Sequence, residues 1–300
     1  MFHEIVHGLT PELPAELTYY GSLGEEELKR IRTEVIHSNV PWVRSYQEYQ
    51  SGGWLVAPLI NGTGKREDDI VKLERAVKTP ILDLLPKTKE LLEGLNLKIQ
   101  MARLAALHEG GLLHPHRDFN YANRAEQDRV AALDPRYTYL DVEKGELVRM
   151  HIVLQTDPDA VLGIPGKAIH LCAGSIWSFN PGEVVHGVYY NPNSARNKTS
   201  PRVHLILDVL DGRNIANNIR NVAQHDPWTE VIVTDLPNLL EAEKEDLLCE
   251  AEKFIAKGHL VQAEEMLLTT FFTRNIADST ALVVEAYRRY GLNQERLDYW

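Results

Sequence analysis

Two nine-residue runs constrain this chain more than any other feature. In Leu147–Gln155, Met150, Ile152 and Leu154 fall on one side of an extended chain, and Arg149, His151 and Gln155 on the other. In Arg202–Leu210, Val203, Leu205, Leu207 and Val209 share one side, and Arg202, His204 and Asp208 the other. Strand side chains reverse face at every residue, so each run carries an apolar face and a largely polar one. Arginine and histidine are foreign to the core of a plain sandwich. They suit a barrel whose interior receives a polar ligand. Further β-type runs, Ile99–Leu107, Ala168–Cys172, Ser175–Phe179 and Val184–Tyr190, are separated by Gly, Pro, Asn or Asp.

The flanks read differently. Glu25-Glu26-Glu27 opens an amphipathic helix lined by Leu28, Ile31 and Val35, and proline-marked turns account for the rest of the first 40 residues. Tyr46–Ile60 contains a strand around Trp54, and Thr79–Leu95 reads as a helix with Pro80 near its start. From about Ile215 the chain reads as helical: Leu239–Lys257 ended by Gly258, Leu260–Phe272, and Ser279–Tyr290 ended by Gly291. The expected division is residues 1–215 for the β core with its N-terminal helices and 216–300 for a small helical domain. The polar stretch 119–146 is long for a loop, either a lid over a site or a solvated insertion.

Charge and cysteine usage narrow the function classes. A net charge of −11 repels phosphate backbones, and no dense basic patch offsets it, so nucleic acid is not an expected partner. No apolar stretch is long enough to span a membrane, and the N-terminus lacks the pattern of a signal peptide. Cys172 and Cys249 have no metal-binding spacing and form no disulfide framework, which makes a reducing, cytoplasmic location the expectation.

The strongest chemical signal is His114-Pro115-His116-Arg117-Asp118. On extended backbone His116 and Asp118 lie on one face, close enough to share an ion. A further histidine would complete two His and one carboxylate, a set that leaves positions open and suits Fe(II) oxygen chemistry. His186 follows the Pro181-Gly182 turn and is the natural third ligand. Arg202 opens the next strand, and its planar fork can take a carboxylate in a bidentate pair, which lysine matches less well. Each piece alone is weak; their order within a β-rich region is what carries weight. Two rivals stay open. His114-Pro115-His116 and Pro181-Gly182 with His186 could imitate the two metal motifs of a cupin-like metal enzyme, with Asp118 and Arg202 incidental. A catalytically silent binding module could also use the same barrel. The spacing from His108-Glu109 to His114 does not fit a zinc peptidase.

The motifs SGGWLVAPLINGTG (51–64), MARLAALHEGGLLHPHRDF (101–119), VRMHIVLQTDPD (148–159), GSIWSFNPGEVVHGV (174–188) and SPRVHLILDV (200–209) resemble the aspartyl/asparaginyl β-hydroxylase superfamily of 2-oxoglutarate oxygenases. Within it the chain is most similar to the bacterial free-amino-acid proline hydroxylases. The resemblance implies a double-stranded β-helix (a cupin-like jelly roll) with flanking N-terminal helices and a small C-terminal helical domain. It implies hydroxylation of an unactivated C–H bond with Fe(II), 2-oxoglutarate and O₂. His116, Asp118 and His186 match the iron ligands, and Arg202 the residue that takes the distal carboxylate of 2-oxoglutarate. Arg149 and His151 match a pair that contacts 2-oxoglutarate or substrate, and Arg103 an arginine with a role toward a substrate carboxylate. The implied partner is a small amino-acid-like molecule, and a homodimer is compatible with the resemblance. The alternative within the family is a peptidyl or carrier-bound substrate. Two departures bear on this. The chain keeps Asp118 where the vertebrate-type enzymes have Gly, and its segments 119–146 and after Tyr190 are longer than the proline enzymes lead one to expect.

Overall fold

The computed structural model describes residues 14–45, 50–68, 75–118, 147–192, 200–210, 214–220, 222–224 and 231–291. The segment 119–146, and with it the expected lid, lies outside the described residues, as does most of the stretch that follows Asn191.

Both alternating runs are strands. β6 (Leu147–Gln155) and β11 (Arg202–Leu210) pair antiparallel, with Asp208 opposite Arg149 and Ile206 opposite His151. Among the described residues they sit inside an eight-stranded sheet with β1 (Leu17–Leu23), β2 (Trp54–Asn61), β3 (Val77–Lys78), β4 (Lys98–Leu107), β9 (Ser175–Phe179) and β12 (Ala223–Gln224). The second sheet has five strands among the described residues: β5 (Leu112–His116), β7 (Ala160–Ile164), β8 (Lys167–His170), β10 (His186–Tyr190) and β13 (Ile232–Asp235). Among the described residues, all pairings between these strands are antiparallel. Strands that follow one another in the chain cross repeatedly from one sheet to the other, as in the double-stranded β-helix.

The apolar faces of β6 and β11 point outward. Met150, Ile152, Leu154, Val203, Leu205, Leu207 and Val209 join Leu104 of β4 in a core covered by α1 (Glu25–His37) and α2 (Pro86–Gly94). Ile31 and Val35, one helical turn apart on α1, are buried there, each side chain stabilising the fold by roughly 1.5–3 kcal/mol. The opposite faces look into the barrel, where Trp54, Val56, Val153, Trp177 and Ile206 pack against Leu162, Ile164 and Val188 of the smaller sheet. A third core joins the outer side of the smaller sheet, through Leu112, to α4 (Glu241–Ala256), α5 (Leu260–Thr269) and α6 (Thr280–Tyr290).

Three expectations are corrected. Residues 79–95 are not one helix: a 3₁₀ turn at Leu82–Leu84 precedes α2, which begins at Pro86, where a missing N–H costs nothing. The first 40 residues contain a strand, β1. The chain beyond residue 215 is not wholly helical: after the short α3 (Ile215–Asn218), β12 pairs with β1 and β13 pairs with β8 before the three helices begin.

Candidate metal centre

β5 and β10 are neighbours, and His116 and His186 are direct cross-strand partners. The pairing from Val188–Leu113 to His186–His116 holds one extra residue on β5, a bulge at the step that includes Pro115. Proline has no N–H for the ladder, so a bulge is where a strand tolerates it, and the bulge re-aims the following side chain. His116 therefore turns toward His186, with ring centroids 4.4 Å apart. His114 does not join them; its Nε2 meets Ser51 Oγ at 2.9 Å. Asp118 lies just past the strand, and its N–H donates to the Pro181 carbonyl (2.9 Å), tying it to the turn that leads into β10.

His116, Asp118 and His186 each offer a ligand atom, all within 4.8 Å of one another, and among the described residues this is the one such cluster. The Nδ1 atoms of both histidines lie against main-chain carbonyls, His116 against His114 (2.7 Å) and His186 against Val184 (3.0 Å). A carbonyl only accepts, so Nδ1 carries the proton and the Nε2 lone pair is left to coordinate. His116 Nε2 stands 3.3 Å from Asp118 Oδ1. Burial, and then the neighbouring His116, push the His186 pKa down to about 3, so its ring is neutral at physiological pH. Burial opposes charge on Asp118, but Arg149, His116 and His186 outweigh it and hold the carboxyl well below its usual range. His186 and Asp118 are thus in the protonation states that a metal ion requires.

Arg149 is held on two sides. Its Nε and Nη2 donate to the two carboxylate oxygens of Asp208 (2.9 and 3.1 Å), and its Nη1 donates to Asp118 Oδ2. Asp208 is completely buried. Arg202 is also buried, but among the described residues no carboxylate faces it. Its one hydrogen-bond partner among the described residues is His204 Nδ1, 3.1 Å from Nη2. Burial alone lowers its pKa to about 9, which leaves the guanidinium charged at neutral pH. A buried cation without a counter-charge is costly, so this arrangement calls for an anion from outside the described residues.

A continuous run of side chains joins Arg202 to the metal cluster. His204 Nδ1 lies 3.4 Å from His151 Nδ1, the His151 ring stacks on Phe179 at 5.5 Å, and Phe179 meets the His186 ring edge-on at 4.8 Å. His151 Nε2 and His204 Nε2 are buried and without hydrogen-bond partners among the described residues. Each such atom costs about 1–3 kcal/mol unless a ligand or water meets it. Burial, followed by the positive field of Arg202, depresses the pKa of both rings well below normal. Arg149 and Arg103 add to that field at His151. Arg103 is buried on β4, opposite Ile206 of β11.

Every residue picked out from the sequence thus lies on or beside the barrel's inner face. Asp208 shares the polar face of its strand, but the sequence alone assigns it no role. Its pairing with Arg149 depends on cross-strand register, which a single chain does not display. The cupin-like reading of His114 loses its footing, because that ring is turned to Ser51.

Residues 25–211 match the aspartyl/asparaginyl β-hydroxylase family, and the chain belongs to that family. Among curated proteins it is 27% identical over 184 residues to an L-proline cis-4-hydroxylase of Rhizobium meliloti, covering 60% of this chain and 56% of that one. It is 28% identical over 159 residues to an L-proline cis-3-hydroxylase of a Streptomyces species, covering 51% and 48%. The matched region thus spans about half the length of these relatives. A solved 2OG-Fe(II) oxygenase-family oxidoreductase from Burkholderia pseudomallei overlaps 65% of this chain and 84% of its own, at 12% identity and a TM-score of 0.37, too loose to bear on function. Among the described residues no helix is long and apolar enough to cross a membrane.

Proposed function

We propose that the protein is an Fe(II)- and 2-oxoglutarate-dependent dioxygenase that hydroxylates a free amino acid or a close derivative. The observation that carries the reading is Arg202, a buried cation with no carboxylate facing it among the described residues, linked through His204, His151 and Phe179 to the metal cluster. A dicarboxylate bound between the two would supply the missing charge. A cupin-like enzyme without 2-oxoglutarate would have no use for such an arginine, and a silent binding module would not need the complete ligand set.

The donor chemistry fits Fe(II): two imidazoles and one carboxylate converge, a set of three that by itself leaves coordination positions to fill. Bound there, iron would supply the activation of O₂, with 2-oxoglutarate as the co-reductant. The chain's own residues do the rest. His116, Asp118 and His186 would hold the ion, and Arg202 would grip the distal carboxylate of 2-oxoglutarate in a bidentate pair. His151 places a polar ring edge between that pocket and the metal. Trp54, Val56, Trp177 and Phe179 line the interior and limit water around the reacting carbon. Arg149, already engaged with Asp118 and Asp208, supports the carboxylate ligand, and Arg103 remains the candidate for a substrate carboxylate.

The substrate class rests on the names of the two curated relatives and on three arginines lining one interior. At 27–28% identity, proline itself is one member of the class to be tested. A division into an oxygenase part (1–215) and a C-terminal part (216–300) belongs to the same reading; the core of α4–α6 supports it, although β12 and β13 join the two sheets and Leu112 of β5 shares that core. So does a cytoplasmic location, supported by two free cysteines. The test is incubation of Fe(II), 2-oxoglutarate and O₂ with free amino acids, including proline and its homologues, read by mass spectrometry. A product heavier by one oxygen atom and stoichiometric with succinate is the expected result. Turnover only on a peptide or carrier-tethered residue would move the chain to the peptidyl branch.

A further inference from the structure

We infer that Asp208 is a positioning residue that acts through Arg149 to hold Asp118 as a one-oxygen metal ligand. The inference rests on the metal-centre reading given above. Asp208 lies on β11 directly opposite Arg149 of β6, and both side chains point into the barrel. The carboxylate is fully buried and accepts two hydrogen bonds from the guanidinium, at 2.9 and 3.1 Å. That fork fixes the plane and rotation of the guanidinium, because a bidentate Arg–carboxylate pair has a single good geometry. The far side of the same guanidinium, Nη1, is thereby aimed at Asp118 Oδ2.

The consequence at Asp118 is a division of labour between its two oxygens. Oδ2 is occupied by Arg149, whereas Oδ1 stands 3.3 Å from His116 Nε2, on the side where the ligand atoms converge. A carboxylate free to rotate can chelate an ion through both oxygens. One whose second oxygen is held by a buried arginine offers only the first, and so leaves one more position for cosubstrate or oxygen. Lysine at 149 could not do this, since an ammonium has no planar fork to span two carboxylates. The buried pair also fixes the orientation of Asp118 before metal arrives.

The test uses Co(II) as an optical probe of the metal-free, full-length protein, followed by anaerobic visible absorption titration. Outer-shell partners of metal ligands typically contribute 10–100-fold to affinity. Asp208→Asn should therefore weaken Co(II) binding about 10–100-fold and change the intensity of the Co(II) bands, which reports coordination number. Arg149→Lys should do the same. In an Arg149→Gln background Asp208→Asn should add less than about twofold, because a residue acting only through Arg149 has nothing left to act on. Asp208→Asn with wild-type affinity and spectrum overturns the inference, and so do losses from Asp208→Asn and Arg149→Gln that simply multiply. If Asp208→Asn does not fold, Arg149→Lys carries the test alone, and a wild-type titration curve and spectrum there are equally fatal. Wild-type protein that takes up no Co(II) removes the metal-centre reading itself, an outcome distinct from the others.

Discussion

The Nε2 atoms of His116 and His186 are available to a metal because two main-chain carbonyls, of His114 and Val184, hold the opposite ring nitrogens. This lies within the sequence HPH and VVH itself: in each case the acceptor sits two residues before the histidine. Arg202 has a different logic, being kept charged in a buried place without a carboxylate beside it among the described residues. Removing a charged partner from a desolvated carboxylate costs on the order of 2–5 kcal/mol. Arg202→Ala is therefore expected to raise the apparent KM for 2-oxoglutarate by well over tenfold while Fe(II) binding stays nearly intact. Steady-state kinetics with separate metal titration checks this. Unchanged dependence on 2-oxoglutarate would remove Arg202 from that role. The ligand residues and Arg202 were legible because they follow in a fixed order along the chain. Asp208 and the exclusion of His114 were not, because one depends on cross-strand register and the other on a bulge.

At the scale of elements, the small sheet is shaped by a pair of glycines. Gly163 on β7 and Gly187 on β10 face each other across the ladder. A Cβ on Gly187 would lie 2.9 Å from the Leu113 carbonyl oxygen and 2.9 Å from the Phe272 ring, and one on Gly163 would lie 2.7 Å from the same ring. The pair makes the flat spot into which the helical part inserts Phe272, directly behind His186. Gly187→Ala presses on the backbone of β5 as well as on the ring. It should destabilise the fold by about 1–3 kcal/mol, read by denaturant unfolding. A neutral result would mean that the strands and helix can separate freely there. Strands with period-two patterning were readable from sequence. β1 was not, because Gly21, at φ 121°, sits at a break in its register and interrupts the alternation. β13 was not, because it is a short edge strand with no buried residue to mark a face. The helix expected over 79–95 was split because Pro86 favours the first helical turn over the interior.

At the scale of the whole molecule, an acidic chain of net charge −11 gathers Arg103, Arg149 and Arg202 on the inner face of three adjacent strands, with Asp208 the one acid those strands contribute. The buried histidines among them must stay neutral. Burial first, and then Arg202, depress the pKa values of His151 and His204 well below normal. The unfolded chain takes up protons at these sites near pH 6.5 and the folded one does not. Their contribution to stability is thus present above about pH 6.5 and falls as the pH drops below it. Metal-free protein should melt at a lower temperature at pH 5 than at pH 7.5, and a flat profile of Tm against pH would show that these rings are not buried neutral. The central claim is that His116, Asp118 and His186 hold iron within reach of a 2-oxo acid anchored by Arg202. It is tested most directly by adding 2-oxoglutarate to the Fe(II)-loaded protein without oxygen and recording the visible spectrum. The wild type is predicted to develop the weak charge-transfer band of a chelated 2-oxo acid and His186→Ala to lack it; no band in the wild type, or an undiminished one in His186→Ala, would contradict the account.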